Sequence, residues 1–265
     1  MSSSMGCKNE TLVVLADIHY PAYDRSTFEC ALDFIRHNRI SGVVLLGDQF
    51  DNAEISHHNS GKPLFKPTGS YAQNTQRFDD EILKPLEALL PKNAQRVWVI
   101  GNHDAWESEL VEAMPQLQGA VERPNLLSLS ERRWKVIPLG ASFQHGQLNY
   151  IHGESLSGMY HAKKAVETYC DNVVYGHFHT LTTQVKVLPH DAKSKWIATC
   201  LPIVGYTNPQ YLRNKPTAWL NGFGIVEYYG NQGYFDLYTV VVSGGQCAYG
   251  GRTYSGVTRN RSAVR

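Results

Sequence analysis

Short apolar runs that each end on a potential metal ligand restrict this chain more than any other feature. Thr11 to Ala16 (TLVVLA) reads as a buried strand that delivers Asp17 at its carboxyl end. Val43 to Leu46 ends at Gly47-Asp48, Arg96 to Ile100 at Gly101-Asn102, and Leu148 to Ile151 at His152. Between the first two runs, Ser26-Thr27-Phe28-Glu29 has the form of a capping box. It opens a helix whose apolar positions Phe28, Ala31, Leu32 and Ile35 recur at helical spacing. Strand, helix, strand, helix, strand in this order requires parallel pairing with helical crossovers. The ligand-bearing turns then fall at the carboxyl edge of the sheet, where open α/β sheets hold their sites.

After Arg132 the pattern changes. Short β-like runs at 134–138, 147–151, 172–175, 181–187 and 195–199 are interrupted by one helical segment near 158–169. A long pair at 222–229 and 233–242, joined around Gly230-Asn231-Gln232-Gly233, reads as a hairpin. Two facing sheets flanked by helices fit this order better than one doubly wound sheet. The expected organisation is a flexible N-terminus at 1–10, a domain at 11–242, and a C-terminal tail at 243–265 rich in Gly, Ser and Arg. Asn52 to Gln73 lacks periodicity and follows the second ligand turn directly, so it is expected to overhang the site with His57, His58, Lys62, Pro63, Lys66 and Pro67.

Net charge is +1, so nothing global recruits nucleic acid or an anionic membrane, and any attraction to phosphate has to be local. The five cysteines are widely spaced, odd in number and form no Cys-x-x-Cys. That argues against a disulfide framework or a zinc knuckle and for a reducing compartment. The first ten residues lack the apolar run of a secretory signal, and no stretch of about 18 apolar residues exists to span a bilayer. A soluble, cytoplasmic protein is expected.

Five motifs follow one another in order: Asp17-Ile18-His19, Gly47-Asp48-Gln49-Phe50-Asp51, Gly101-Asn102-His103-Asp104, His152-Gly153 and Gly176-His177-Phe178-His179. Together they resemble the calcineurin-like metallophosphoesterases, which hydrolyse phosphate esters at a two-metal centre. The resemblance implies an α/β fold, a four-layer αββα sandwich of two mixed β-sheets flanked by helices. It also implies a division of labour. Asp17, His19 and His179 would bind a first metal, Asn102, His152 and His177 a second, and Asp48 would bridge the two. His103 would be the general acid, with Asp51 orienting it and stabilising its protonated form. The residues themselves agree with this assignment. Residues i and i+2 of a strand point the same way, so Asp17 and His19 can reach one ion. A carboxylate suits a bridge because each oxygen can serve a different cation. His103 follows Asn102 directly and is expected to diverge from the metal-binding side. Two divalent ions less two aspartates leave about +2, enough to attract a phosphodiester or a monoester, and such a pair acidifies a bridging water to the hydroxide that attacks in line. The oxygen and imidazole donors favour Mn²⁺, with Fe or Zn²⁺ also possible.

His145-Gly146 competes with His152-Gly153 for the fourth motif, but only His152 ends a strand as the other ligands do. His37, His57, His58, His161 and His190 are expected to be solvated, with His57 or His58 close enough to touch substrate. Protein phosphatases of the family continue the second motif with arginine and place another before the third. Here Asp51 is followed by Asn52-Ala53, and Ile100 precedes Gly101, so that activity is not expected. A phosphodiesterase or nuclease on nucleic acid or nucleotides is the leading reading. Arg252, Arg259, Arg261 and Arg265, interleaved with Tyr249 and Tyr254, tilt it toward nucleic acid, against a solvated terminus. A phosphomonoesterase, a nucleoside-diphosphate-sugar pyrophosphohydrolase suggested by His152-Gly153-Glu154, and a metal-free scaffold are the alternatives. Oligomeric state is not legible.

Overall fold

The computed structural model describes residues 9–56, 68–189, 191–209 and 212–257. Its first sheet has the order β11-β10-β1-β2-β3-β4. The strands β1 (Glu10–Leu15), β2 (Gly42–Leu46), β3 (Gln95–Val99) and β4 (Lys135–Ile137) run parallel. The hairpin of β10 (Gly222–Tyr229) and β11 (Tyr234–Val241) joins β1 antiparallel. All five residues of β2 are buried, as a strand covered on both faces requires. The second sheet contains β5 (Phe143–His145), β6 (Leu148–Ile151), β7 (Val173–Tyr175), β8 (Thr182–Leu188) and β9 (Asp191–Cys200), in the order β5-β6-β7-β9-β8.

The inner faces meet in one core, where Leu12, Val14, Val44, Leu46, Val97 and Val99 oppose Phe143, Leu148, Tyr150 and Val174. The polar atoms that enter it are paired, with Tyr150 and Tyr228 hydroxyls 2.7 Å apart. On the outer face of the first sheet pack α1 (Arg25–His37), α2 (Tyr71–Phe78) and α3 (Lys84–Leu89), the last two joined by a π-helical turn at Asp79–Leu83. On the outer face of the second sheet α6 (His161–Tyr169) buries Ala165 and Val166 against Val173, Tyr175, Ala198 and Cys200. These are the four layers expected. The helices α4 (Asn102–Ala113) and α5 (Arg123–Leu126) lie between β3 and β4 in the chain.

Several local expectations are corrected. α1 is capped by Asp24, whose carboxylate accepts from Thr27 N at 2.7 Å; Ser26, read as the cap, is already helical and donates its hydroxyl to Asp24. A carboxylate before a helix accepts orphan amides as well as a serine does, so the pattern fits two registers. β5 was not foreseen, because three residues are too few to show alternation. The aperiodic stretch at 52–73 ends early, since Ser70 caps α2 and its hydroxyl accepts from Gln73 N at 3.3 Å. Its His57, His58, Lys62, Pro63, Lys66 and Pro67 lie outside the described residues, as do residues 1–8, His190, Arg259, Arg261 and Arg265.

Much of the expected tail is folded. β12 (Gln246–Tyr249) and β13 (Arg252–Ser255) form a hairpin laid on α1. Phe34 of α1 meets Tyr254 at 5.1 Å and Tyr249 at 5.5 Å between ring centroids, and Cys30 Sγ lies 3.2 Å from Cys247 Sγ. Gly256 permits the close approach, for a Cβ there would stand 2.0 Å from Ser26 O. Tyr254 is therefore core, and the Tyr249 hydroxyl donates to Glu227. Neither ring is left to stack on bases as the composition suggested. Among the described residues no helix is long and apolar enough to cross a membrane.

Candidate metal centre

Each parallel strand that ends at the cleft delivers its ligand candidates just beyond its last residue. The β1–β2 ladder continues past the strands, with Asp17 N donating to Gly47 O (3.2 Å) and His19 N to Asp48 O (2.9 Å). That continuation keeps the first two turns side by side. Asp17, His19, Asp48, His177 and His179 all have positive φ, between 49° and 68°. Left-handed backbone at non-glycine residues is costly and concentrates at sites where the surroundings enforce it. Glycines in the same turns remove obstacles. A Cβ on Gly101 would stand 2.1 Å from Asp48 Oδ1, and one on Gly176 would stand 2.4 Å from Asp17 Oδ2.

The structure brings Asp17, His19 and His179 into one donor group, His19, Asp48 and His103 into a second, and Asp48, His152 and His177 into a third, each with its ligand atoms within 4.8 Å of one another. Asp48 belongs to two of these groups. Its Oδ2 is 3.9 Å from His19 Nε2 and 3.2 Å from His152 Nε2. Asn102 Oδ1 adjoins the third group, 2.9 Å from His152 Nε2. His145 is elsewhere: it ends β5 and pairs with Glu10 at 2.9 Å, at the start of β1 and away from the cleft.

Divalent cations suit this donor set. His152 Nδ1 donates to Leu46 O at 3.1 Å, so its Nε2 faces the oxygens of Asp48 and Asn102. A bare lone pair there would be repelled, and either a proton or a cation has to intervene. Likewise His19 Nε2 and His179 Nε2 stand 3.2 Å apart with Asp17 Oδ1 at 3.5 Å, and His179 Nδ1 is a buried nitrogen without a partner. In the metal-free protein protons take these places. Burial works against the charged form of His152, but the Asp48 carboxylate outweighs it and raises the imidazole to about 10. His19 is pushed the same way, to about 8: burial opposes, and Asp51, Asp48 and Asp17 prevail. Burial would raise Asp48, yet His152 and His103 hold it far below the usual carboxylate range. His177 and His179 are lowered, chiefly by burial, and so keep lone pairs to offer.

α4 begins at Asn102, so Asn102 and His103 are consecutive residues of a helical first turn. His103 therefore stays close to the donors, contrary to the divergence expected: its ring lies edge-on to His19 with centroids 4.9 Å apart. Its Nδ1 bonds the Asp51 backbone carbonyl at 2.9 Å, which fixes the tautomer and the ring orientation. The Asp51 carboxylate lies 3.5 Å from His19 Nδ1 and 3.7 Å from His103 Nδ1.

Four supporting residues carried no signal of this role in the sequence. The residues α4 buries are acids, Asp104 and Glu107. Asp104 accepts from Gly101 N (3.0 Å), Gln49 N (3.3 Å) and Phe50 N (3.2 Å), tying the third turn to the second. Burial, and next Asp48, raise it to about 7. Arg123, 1% exposed, pairs with Glu107 at 2.9 Å and lies between the rings of Phe50 (3.7 Å) and Tyr71 (3.8 Å). Its guanidinium also donates to Asn52 Oδ1, while Asn52 Nδ2 donates to His103 O at 2.8 Å. One buried cation thus ties together the residues flanking Asp51 and the helix that carries His103. Of the other histidines, His37 bonds Asp33 O at the surface, whereas His161 is buried against Phe178 and Tyr175 and not solvated as expected.

The family model described as calcineurin-like phosphoesterase matches residues 11–199. No match is found among curated proteins. Among solved structures, Vacuolar Protein Sorting 29 from Cryptosporidium parvum is 14% identical, with 93% of this chain and 95% of that chain covered and a TM-score of 0.44. A metallophosphoesterase from Sphaerobacter thermophilus is 15% identical, with 88% of each chain covered and a TM-score of 0.43. The nuclease MPE of Pseudomonas putida is 15% identical, with 86% and 87% covered and a TM-score of 0.39.

Proposed function

The chain belongs to the calcineurin-like phosphoesterase family, and we propose that it is a two-metal phosphodiesterase acting on nucleotides or nucleic acid. The observation that carries this reading is the position of Asp48, whose carboxylate is shared between donor groups from both sheets. Asp17, His19 and His179 would hold one divalent ion, Asn102, His152 and His177 the other, and Asp48 both. The absence of thiolate among these donors fits Mn²⁺ or Fe and accepts Zn²⁺. Bound there, the ions would supply an acidified water and a clamp on the phosphoryl oxygens.

The chain's own groups account for the rest. With His103 Nδ1 directed to the Asp51 carbonyl, the nitrogen left to serve a leaving oxygen is Nε2. The Asp51 carboxyl beside it is anionic: burial would raise it, but its contacts with His19 and His103 keep it low. A diester is favoured over a monoester because the second and third motifs bring no arginine to the donors. The second motif continues without arginine, and Arg123, packed behind it, is buried and turned to Glu107 and Asn52. A dianion would therefore find no guanidinium clamp in these elements.

The test is kcat/KM of the Mn²⁺-loaded protein for bis-p-nitrophenyl phosphate against p-nitrophenyl phosphate. The diester should be cleaved faster, and a strong monoester preference would replace this reading with a phosphomonoesterase. Asp48→Asn should reduce the metal content below two ions per chain by elemental analysis and abolish turnover. An undiminished two ions in that variant would remove the bridging role.

A further inference from the structure

A groove of about 610 Å³ runs beside the donor cluster. That is ample for a small organic group and within the usual range of ligand sites. Two of its walls are aromatic and come from segments that already serve the centre. Phe178 lies between His177 and His179 in the chain, and its ring is held flat against buried His161, 3.9 Å between centroids and 4° from parallel. Trp219 is fixed by a bridge to Thr180, and its ring meets His179 edge-on at 4.3 Å. One indole therefore borders both the metal centre and the groove. Met159, 84% exposed, and Leu220, 41% exposed, add apolar surface at the rim, and Thr217 adds a hydroxyl, while that of Thr180 is held by His161 Nε2 and Thr182 Oγ1, each at 3.2 Å.

The charge of the groove differs from that of the centre. Among the described residues no carboxylate, lysine or arginine lines it. His161 is neutral at pH 7, because burial pushes its imidazole down. A second phosphate or an acidic peptide would find no counter-charge among these residues. A planar uncharged ring would find a fixed aromatic surface and the Thr217 hydroxyl for its polar edge.

We propose that this groove receives the base of a nucleotide whose phosphate occupies the donor cluster. The inference deepens, and rests on, the phosphodiesterase reading. Trp219 and Phe178 then hold the base by stacking, which tolerates any base because every base offers a π-face.

Adenosine carries no phosphate, so its binding to the full chain reports on the groove whether or not any ester is hydrolysed. Calorimetry or ligand-observed NMR should show adenosine binding and ribose not binding. Trp219→Ala should weaken adenosine roughly 5- to 150-fold, the range expected for losing one base–aromatic stack, and Trp219→Phe should recover most of it. Because Trp219 touches His179, a second variant is needed. Ala218→Asp adds a carboxylate to the groove without altering either ring. It should weaken adenosine and raise KM for a dinucleotide several-fold more than it raises KM for methyl p-nitrophenyl phosphate, which carries the same phosphodiester charge and no base. The inference is overturned if adenosine binds no better than ribose, if both variants leave its affinity intact, or if n-hexanol binds the groove in its place. If adenosine binds and responds to both variants but no diester is cleaved, the base site stands and the hydrolytic reading fails.

Discussion

Replacing Arg123 with methionine isolates what the buried cation contributes. Its guanidinium is 2.9 Å from Glu107 Oε1, and the two side chains are 1% and 6% exposed. Removing one partner of so buried a pair costs about 3–5 kcal/mol, because the other charge is left without compensation. Asn52 Oδ1 also loses its donor, which adds about 1–3 kcal/mol for an unsatisfied buried acceptor. Methionine still packs on the Phe50 and Tyr71 rings and recovers part of the stacking. The net expectation is about 4–6 kcal/mol, a large share of the roughly 5–15 kcal/mol that domains possess. At about 2–4 °C per kcal/mol for a chain of this size, the melting temperature should fall roughly 10–20 °C. Urea unfolding followed by circular dichroism measures it. The double variant Arg123→Met/Glu107→Gln should regain about 2–3 kcal/mol, since a neutral amide leaves no buried charge. Burial already raises the Glu107 carboxyl above its ordinary range. A carboxyl so shifted binds its proton more readily folded than unfolded. The single variant should thus regain stability as pH falls through the raised value and lose it again as pH rises. Losses below about 1 kcal/mol, the worth of an exposed pair, or equal losses in the single and double variants, would refute the buried-charge argument.

His103→Asn should lower turnover roughly 10²–10⁴-fold for an alkyl leaving group and far less for p-nitrophenolate, with metal content unchanged; equal losses for both leaving groups would exclude the proton-donor role. In the metal-free protein His19 and His152 hold protons up to about pH 8 and about pH 10, and divalent ions have to displace them. Apparent metal affinity should therefore rise with pH through about 8 and on toward about 10, with protons released on loading, read as a buffer-dependent calorimetric enthalpy. Both imidazoles are raised above their unfolded value, so the stability they lend the metal-free protein is complete below pH 6.5 and lost as pH climbs through about 8 and about 10. Truncation after Ser243 should cost several kcal/mol, about 1.5–3 kcal/mol for each buried apolar side chain removed, because Cys247 and Tyr254 leave the core. A truncated chain as stable as the full one would show that the hairpin on α1 contributes nothing.

The candidate site was legible where one local pattern carries its meaning. An apolar run followed by Asp48 or His152 states both the strand and its end, because a strand buried on two faces tolerates no charge until it leaves the sheet. His152 was separable from His145 on that ground alone, and the structure places only His152 against Asp48. The cap of α1 and the short β5 were misread or missed, since a serine and an aspartate two residues apart compete for one role and three residues show no period.

Other features had no local signature. Nothing near Arg123 in the sequence distinguishes it from a solvated arginine; it becomes structural because α5 brings it between Phe50 and Tyr71 and against Glu107. The Gly-, Ser- and Arg-rich end of the chain reads as a tail, and it forms a hairpin because Phe34 and Cys30 on α1 offer Tyr254 and Cys247 an apolar seat. His161 is neutral and buried because Phe178 and Tyr175 close over it. The sequence by itself determined which residues end the parallel strands, and hence the order and identity of the ligand candidates, because strand burial and turn chemistry act over a few residues. Only the tertiary structure decided which charges are buried, which rings are spent in the core and which face a groove, because burial and pairing depend on partners as distant in the chain as Cys30 and Cys247, which meet only when the layers pack.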